Sequence, residues 1–527
     1  MKKATALLLS LALLCGLFSG CGSKKDEAYV PTGKALLMEG EDPAEYLAEE
    51  KEPQTLSLAY YPDRSMNPLV GNNISNRALF SLIYQGLFSV DRNNETIPIL
   101  CSNYKVSSDN RTYTFYIDGN AAFSDGTPVT VADVIASYEA ARNSNYYKGR
   151  FTYVDSFVAN DTGGVTFYLT TAYENLPILL DIPILKASEV EADIPLGTGP
   201  YAFGEGISGP HLRRVTNWWC GNVSIPVTAE TVTLVEASSQ AQTRDDFEFN
   251  GLGLAVANPM SDSYAEYRCD YELWKVETGI FLYIGCNVTY SDFFKDNDTL
   301  RKALTYAIDR ETLIQRNYRG EAYAATLAVS PGSPYYYENL AQEYAYDSMK
   351  FLDKISGWTA PKNDKNQTKT MRLLVNSDDS ARLRTARDLA ATLTELGIKT
   401  ETMEYSGNAY ENALRAANYD IYLGQTKLPA TYDLSEFFRP WGELRWGGIT
   451  STVIQDACKA ALENSGSYYN LLQTVADDAS IIPVLFGYYM VYSERGLFDN
   501  LSPSRDNVFC YSLGKTMESI RIETEYN

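Results

Sequence analysis

The hydrophobic period of the chain changes between residues 371 and 397. Apolar residues first occupy every second position, which predicts a strand with one buried face. They are Met371, Leu373 and Val375. Apolar residues then recur at helical spacing, at Ala386, Leu389, Ala390, Leu393 and Leu396. Gly397 follows this stripe directly, and a glycine in that position commonly caps the C-terminus of a helix. The pattern predicts a strand followed by a helix.

The same alternation of elements continues to residue 423. Residues 398–405 and 419–423 have the pattern of strands, and residues 410–417 have that of a short helix between them. A strand–helix–strand–helix–strand series of this length predicts parallel strands joined by right-handed crossovers. Such sheets place ligands at the carboxyl ends of their strands. The fold class predicted for this region is therefore α/β.

Two further helices and a hairpin are predicted outside this region. The first helix follows Asp298, a candidate N-cap, and carries the apolar stripe Leu300, Ala303, Leu304, Ala307, Ile308 and Ile314. The second begins after Thr130, where Thr130 and Asp133 form a start like a capping box. One face of it carries Val131, Val134, Tyr138 and Ala141. Residues 107–110 predict a hairpin turn before the alternating strand Tyr113, Phe115 and Ile117.

The N-terminal segment has the pattern of an export signal. Two lysines precede an apolar run over residues 4–14, which is shorter than the roughly 20 residues that a membrane-spanning helix needs. Small residues then precede Cys21, and this arrangement resembles the bacterial lipoprotein box. We expect residues 1–20 to be a signal peptide, Cys21 to carry lipid and residues 21–53 to form a tether. The alternatives are a plain signal peptide with an incidental cysteine and an uncleaved anchor.

Charge and composition exclude several classes of function. The net charge of -22 at pH 7 argues against nucleic acid or anionic lipid as a partner. His211 is the only histidine, which excludes multi-histidine metal sites and any catalytic histidine pair not built on that residue. We expect His211 in an exposed loop after Gly209-Pro210. No motif specifies an enzyme, and we predict no cofactor and no bound metal.

Cysteine usage leaves one question open. Six cysteines remain after Cys21, at positions 101, 220, 269, 286, 458 and 510. None belongs to a C-x-x-C pair, so a zinc ribbon or a redox dithiol is not expected. In an exported protein these residues could form disulfides or be buried thiols.

An ordered set of motifs resembles family 5 of the bacterial extracellular solute-binding proteins. In chain order the motifs are Asn76-Arg77 with residues 83–88, Phe123-Ser124-Asp125-Gly126-Thr127-Pro128 with the following helix start, Gly197-Thr198-Gly199-Pro200-Tyr201, residues 300–310, and Ile482-Pro483. The resemblance runs from about residue 55 to about residue 515. It implies an α/β clamp of two lobes, like the periplasmic binding proteins, with an additional satellite domain in lobe I. The implied parts are lobe I (54–90, 195–278 and 487–527), the satellite (91–194) and lobe II (279–486).

The resemblance also implies a function. The protein would bind a peptide or related small solute by hinge closure and deliver it to the permease and ATPase of an ABC importer. It would act without a covalent step, as a monomer, on the outer face of the bacterial cell membrane. The alternatives are a surface receptor of the same fold used for signalling and a secreted hydrolase.

The expected ligand-binding residues are aromatic and polar side chains at the edges of the lobes. They are Tyr60, Asn67, Tyr84, Gln85, Asn287, Tyr432, Asp433, Arg439, Trp441, Arg445 and Trp446. Peptide-binding members of the family place an aspartate in this last region, where it pairs with the α-ammonium of the peptide. Residues 425–431 contain no acid, and Asp433 could substitute only if the loop is shifted. Recognition of a free peptide amine therefore stays open, and a single histidine disfavours nickel.

Overall fold

The computed structural model describes residues 54–221, 223–449 and 451–522. The expected signal peptide, the lipidation of Cys21 and the expected tether all fall outside these residues. Within the described ranges, no helix combines the length and the apolar character that crossing a membrane requires.

The strands and helices follow the chain in alternating groups. The strands are β1 (Leu56–Tyr60), β2 (Phe88–Val90), β3 (Thr96–Pro98), β4 (Cys101–Val106), β5 (Thr112–Ile117), β6 (Val154–Ala159), β7 (Gly164–Leu169), β8 (Tyr201–Gly206), β9 (Gly209–Arg214), β10 (Thr231–Glu236), β11 (Leu254–Ala257), β12 (Glu272–Cys286), β13 (Tyr323–Ala324), β14 (Met371–Asn376), β15 (Thr400–Tyr405), β16 (Ile421–Lys427) and β17 (Ile481–Ser493). The helices are α1 (Ile74–Ile83), α2 (Val131–Asn143), α3 (Gln240–Glu248), α4 (Thr299–Ala303), α5 (Arg310–Tyr318), α6 (Glu338–Glu343), α7 (Ser348–Lys354), α8 (Ser380–Glu395), α9 (Gly407–Ala416), α10 (Ser435–Phe438), α11 (Thr452–Glu463), α12 (Tyr468–Asp478) and α13 (Met517–Ile520).

One mixed sheet runs through the molecule in the order β15-β14-β16-β12-β17-β11-β1-β10-β9-β8, and β13 pairs with β17. β14 is parallel to both β15 and β16, which confirms the parallel arrangement predicted from the hydrophobic period. Gly397 follows α8 with a φ of +94°, as expected of a helix cap that needs the left-handed region. The third strand extends to Lys427, beyond the predicted end at residue 423.

Two large hydrophobic cores divide the molecule into lobe I and lobe II. The core of lobe I is built mostly from residues before 277 and after 490, and that of lobe II mostly from residues 281–486. β12 passes from the first core at Val276 to the second at Phe281, and β17 returns from Phe486 to Val491. The fold is therefore the two-lobed α/β clamp expected from the resemblance.

Both crossing strands carry a glycine where they change cores. The pairing of β12 with β17 shifts in register between Glu277 and Ile280, and Gly279 has a φ of +72°. The Thr278 hydroxyl donates a hydrogen bond of 2.7 Å to the carbonyl oxygen of Gly487. A β-bulge of this kind bends a strand and increases its twist locally. The two crossings are thus joined at the point where the strands leave lobe I.

A satellite domain packs against lobe I. Its sheet has the order β4-β5-β7-β6, and α2 covers this sheet with Val134, Tyr138 and Ala141 buried. The predicted capping box is present, because the backbone N–H of Thr130 donates to Asp133 and that of Asp133 donates to the Thr130 hydroxyl. The predicted hairpin turn joins β4 to β5.

The Gly197-Thr198-Gly199-Pro200 motif has a structural reason. A Cβ atom at Gly197 or Gly199 would overlap the backbone at the end of α1, at Ile83 and Leu82. The N–H of Gly199 donates to the Ile83 carbonyl at 2.8 Å. Glycine is therefore required here by the close approach of two backbones.

Three local predictions are wrong. The stripe starting at Leu300 does not form one helix: α4 ends in a 3₁₀ turn, Leu304–Ala307, and α5 begins anew after Asp309, whose side chain caps it. The side chain of Asp298 does not cap α4 and pairs instead with Lys302 at 2.7 Å. His211 lies in β9 opposite Gly204, because the hairpin turn falls at residues 206–209.

The helix breaks because Arg310 is buried. Its guanidinium donates hydrogen bonds to the carbonyl oxygens of Pro483 and Thr305 at 2.9 and 3.2 Å. A buried cation needs such acceptors, and one uninterrupted helix would not supply the free carbonyls of its own backbone.

The six cysteines in the described ranges are all free; those at 101, 286, 458 and 510 are buried.

A candidate ligand cleft between the lobes

The largest cavity described lies between the two lobes and has a volume of about 550 Å³. Lobe I and its satellite line it with segments 145–152 and 178–181 and with Arg505 and Asp506. Lobe II lines it with segments 426–430 and 433–444, which follow β16. Cavities of about 300–1,000 Å³ are typical of small-molecule sites. The lobe II segments follow the carboxyl end of β16, which is parallel to β14. α/β sheets commonly bind ligands at the carboxyl ends of their parallel strands.

An ion pair joins the lobes inside this cavity. Lys427, the last residue of β16, lies 2.9 Å from Asp506 of lobe I and donates to the Tyr146 hydroxyl at 2.9 Å. Tyr146 in turn donates to Asp506 at 2.6 Å, and Arg150 approaches the other carboxylate oxygen at 3.4 Å. The guanidinium of Arg77 lies over the Tyr146 ring at 3.8 Å.

These cations fix the charge of Asp506. Burial opposes ionisation of this carboxyl, but Lys427, Arg77 and Arg150 outweigh that effect and hold its pKa well below the ordinary range. Burial lowers the pKa of the Lys427 ammonium, while Asp506 favours its charged form. The centre of the cleft is thus a fixed arrangement of opposite charges.

Arg505 connects the cleft to the crossing strands. Its guanidinium donates to the Leu428 carbonyl of lobe II and occupies the space beside Gly279 that a side chain would otherwise need. The Tyr432 ring lies 6.0 Å from the guanidinium carbon. Arg505 belongs to lobe I and binds lobe II beside the crossing strands, so it links the two lobes directly.

A second group of contacts surrounds the cleft at its rim. Lys148 lies 3.1 Å from Glu443, and the Thr152 hydroxyl donates to Glu436 at 3.3 Å. Away from the rim, the buried hydroxyls of Tyr173 and Thr431 are 2.8 Å apart. The satellite domain therefore contacts lobe II directly.

Three of the predicted site residues lie at this interface. Asp433 and Arg439 line the cavity, and Tyr432 lines a neighbouring cavity described below. Asp433 accepts hydrogen bonds from the backbone and hydroxyl of Ser435 at 2.9 and 2.5 Å. Burial raises the pKa of Asp433. Arg439 is bound to Glu436 at 2.6 Å.

Four predicted residues have their polar atoms bonded within the protein. The Asn67 amide donates to the carbonyls of Val190 and Ala192, and the Asn287 amide donates to those of Ala417 and Tyr419. The remaining two, Tyr84 and Gln85, line a cavity of about 60 Å³ between lobe I and its satellite, which shares Asp181 and Asp506 with the larger cavity. Their partners are the carbonyls of Met66 and Pro195 for Tyr84, and Tyr511 and Trp219 for Gln85.

The other four predicted residues are not among those lining the described cavities. Tyr60 packs against Phe203 at the end of β1, with ring centroids 5.8 Å apart. Trp441 is 92% exposed, and Arg445 donates to the Ile449 carbonyl at 2.6 Å. Trp446 packs against the core of lobe II. Their roles in ligand binding stay predictions.

The sequence analysis missed Tyr146, Arg150, Arg505 and Asp506. Neither hydrophobic period nor motif marks them, because they meet only through tertiary contacts. The one available signal was Lys427 itself, a cation in a segment where an acid was expected.

Comparison with known proteins decides the family. The pattern of "Bacterial extracellular solute-binding proteins, family 5 Middle" matches residues 95–447. The chain belongs to this family. The match covers the satellite, the crossing strand β12 and the lobe II segment that lines the cavity.

Individual members are more distant. The glutathione-binding protein GsiB of Salmonella paratyphi A is 26% identical over 308 residues, which are 54% of this chain and 57% of that protein. The chain thus matches little more than half the length of this relative. The ABC transporter substrate binding protein CtaP of Listeria monocytogenes has a similar fold, with a TM-score of 0.68 and 18% identity, over 87% of this chain and 98% of that one. The oligopeptide-binding protein AppA of Bacillus subtilis, solved with a nonapeptide, gives 0.60 and 19% over 86% and 98%.

Proposed function

We propose that this protein is the extracytoplasmic receptor of an ABC importer and binds a peptide or related small solute in the cleft between its lobes. The observation that carries the proposal is the cavity of about 550 Å³ between two lobes that are connected by β12 and β17. Membership of the family, the glutathione named for GsiB and the nonapeptide bound to AppA support this class of ligand.

The charges of the cleft favour a ligand with both signs. Five cationic and five acidic side chains line the cavity: Lys148, Arg150, Lys427, Arg439 and Arg505, and Asp181, Asp433, Glu436, Glu443 and Asp506. A wall of balanced charge suits a zwitterionic or neutral solute better than a highly charged one. No step of bond chemistry is part of the proposal.

The proposed mechanism is hinge closure. A ligand that contacts both lobes only in the closed state shifts the population toward that state. The bulge at Thr278–Gly279 and the adjacent Gly487 offer a place where a few dihedral angles could absorb the motion. The proposed lobe boundaries are 54–90, 195–278 and 487–527 for lobe I, 91–194 for the satellite and 279–486 for lobe II; the changes of core on β12 and β17 support them.

The proposed location is the outer face of the cell membrane. The protein would be held there as a monomer by lipid on Cys21 and would deliver its solute to a permease and an ATPase. The pattern before Cys21 supports this location, since several acyl chains give stable anchoring. Mass spectrometry of the N-terminal peptide would show the lipid, and an unmodified Cys21 would contradict this part.

The decisive experiment is mass spectrometry of small molecules released from the natively purified full chain, followed by calorimetry with the compound found. Lys427→Gln should weaken that binding, whereas Lys459→Gln on the exposed face of α11 should not. X-ray scattering should show a smaller radius of gyration after binding. Failure of peptide, sugar and metal libraries to bind would contradict the proposal, and conversion of the compound into a product would indicate a hydrolase instead.

A further inference from the structure

A second cavity of about 280 Å³ lies on the other side of Arg505. Arg505 lines both cavities, and its contacts with Leu428 and Tyr432 separate them. One wall is the edge of β12 over residues 273–277. In the described chain this part of β12 pairs with β17 on one side, and β16 joins the other side only from Ile280 onward. The wall therefore also offers strand-edge backbone groups.

Two opposite charges face this cavity without meeting. The Oε1 atom of Glu277 is buried and accepts no hydrogen bond among the described residues. Neither a hydrogen bond nor an ion pair joins Glu277 to Arg505 in the same part of the chain. The Arg505 cation nevertheless acts on Glu277: burial raises the pKa of this carboxyl, and Arg505 and the Ser330 hydroxyl oppose the rise.

The other charged groups around the cavity are already occupied or exposed. Lys275 pairs with Glu321 at 2.9 Å and donates to the Tyr488 hydroxyl. Asp91 accepts hydrogen bonds from the backbone of the turn that follows it, and Arg92 is exposed to solvent. Glu277 and Arg505 are thus the pair that a ligand would complete.

Buried carboxylate oxygens normally accept a hydrogen bond. A bound molecule that donates to the Oε1 atom of Glu277 would explain why no protein group does so. A molecule that carries both an ammonium and a carboxylate would satisfy Glu277 and Arg505 together. Trp274, Tyr323 and Tyr432 supply aromatic surface for its apolar part. The volume lies just below the range of about 300–1,000 Å³ that is common for drug-sized ligands, which favours a smaller molecule.

We propose that this cavity is a second ligand site, which binds a small zwitterion of the amino-acid class. It is distinct from the solute site in the larger cavity and does not depend on the identity of that solute. The ammonium of the zwitterion contacts Glu277, and its carboxylate contacts the face of Arg505 that is turned away from the larger cavity.

Calorimetric titration of the full chain with each proteinogenic L-amino acid tests the proposal. At least one should bind with one-to-one stoichiometry, and Glu277→Gln should weaken it about tenfold or more, as expected for loss of a charge-assisted hydrogen bond. Glu411→Gln removes a carboxylate from an exposed pair on α9 and should leave the affinity unchanged. If Glu277→Gln does not fold, Glu277→Asp, which keeps the charge but withdraws it by one methylene, should weaken binding severalfold.

Three results would overturn the proposal. The first is that no amino acid binds the wild-type chain, and the second is that the Glu277 variants bind as tightly as the wild type. The third is that affinity falls in Lys427→Gln and not in Glu277→Gln, which would assign the amino acid to the larger cavity. Presence or absence of a co-purified solute concerns only the proposed transport function and leaves this comparison intact.

Discussion

The contacts between the lobes differ sharply between the centre of the cleft and its rim. At the centre, Lys427 and Asp506 expose 37% and 15% of their side chains, and Asp506 is also contacted by Tyr146 and Arg150. At the rim, Lys148 and Glu443 expose 46% and 68% and pair only with each other among the contacts described above. Coulomb attraction is weak where water screens it and much stronger where water is excluded. The comparison indicates that the central ion pair contributes more to the association of the lobes than the exposed pair at the rim.

The largest effect is expected for Asp506→Asn. The change removes the anion that acts on Lys427, Arg77 and Arg150, although Arg150 keeps its ion pair with Asp181. Breaking such a buried pair costs about 3 kcal/mol. Urea unfolding should show this loss of unfolding free energy at neutral pH.

The same variant gives a pH test. Because the folded pKa of Asp506 lies well below that of the unfolded chain, its contribution is present above the unfolded pKa and is lost as pH falls toward the folded value. The difference between wild type and Asp506→Asn should therefore shrink in acid. A constant difference would show that the charge of Asp506 is not the cause.

The next effect is expected for Gly279→Ala at the crossing. A side chain here must adopt a φ of +72° and displace the Arg505 guanidinium, so the unfolding free energy should fall by about 2 kcal/mol. The change should also weaken solute binding, because it pushes apart groups that belong to different lobes. Gly357→Ala is a matched control with free space around the new methyl group; an equal loss there would contradict the steric explanation.

A smaller effect is expected for Asp433→Asn, and its sign is opposite to that of Asp506→Asn. Burial raises the folded pKa of Asp433, so its contribution to stability is present below the unfolded pKa and is lost as pH rises through the folded pKa. The amide keeps an acceptor for Ser435 but cannot ionise. The stability of the variant relative to wild type should therefore improve between about pH 4 and about pH 8, as measured by urea unfolding at both values. A decline over this interval would refute the assigned direction.

The smallest effect is expected at the rim. Lys148→Ala, Glu443→Ala and the double variant form a cycle whose coupling energy should be about 0.5 kcal/mol or less. The coupling should vanish in high salt, measured by the same unfolding assay. A coupling as large as that of the central pair would remove the distinction between centre and rim.

The parts of the molecule that could be predicted from sequence are those governed by neighbouring residues. The strands and helices after Met371 follow from spacing within each element, and the capping box at Thr130 follows from two residues three positions apart. The break before Arg310 could not be predicted, because the same apolar stripe is compatible with one helix or two. The acceptors that the buried Arg310 requires include the carbonyl of Pro483, 173 residues away.

The cleft was harder to predict for the same reason. Lys427 and Asp506 are 79 positions apart in sequence, and Lys427 and Tyr146 are 281 apart. Nothing near either partner indicates which one it will meet. The set of motifs that resembles the family points to the right segment of lobe II, but the partners of that segment come from three separate stretches of chain.

The link between Lys427 and Asp506 has a consequence for how empty and loaded receptors differ. The Lys427–Asp506 ion pair joins the lobes without any ligand, so it supplies part of the free energy of closure in the empty protein. A solute can then bias the balance between open and shut forms only by the contacts it adds, not by the total that joins the two halves. Discrimination by a downstream partner would accordingly depend on how far that increment shifts the closed fraction. Weakening the built-in pair would lower the closed fraction of the empty receptor and so enlarge its difference from the loaded one.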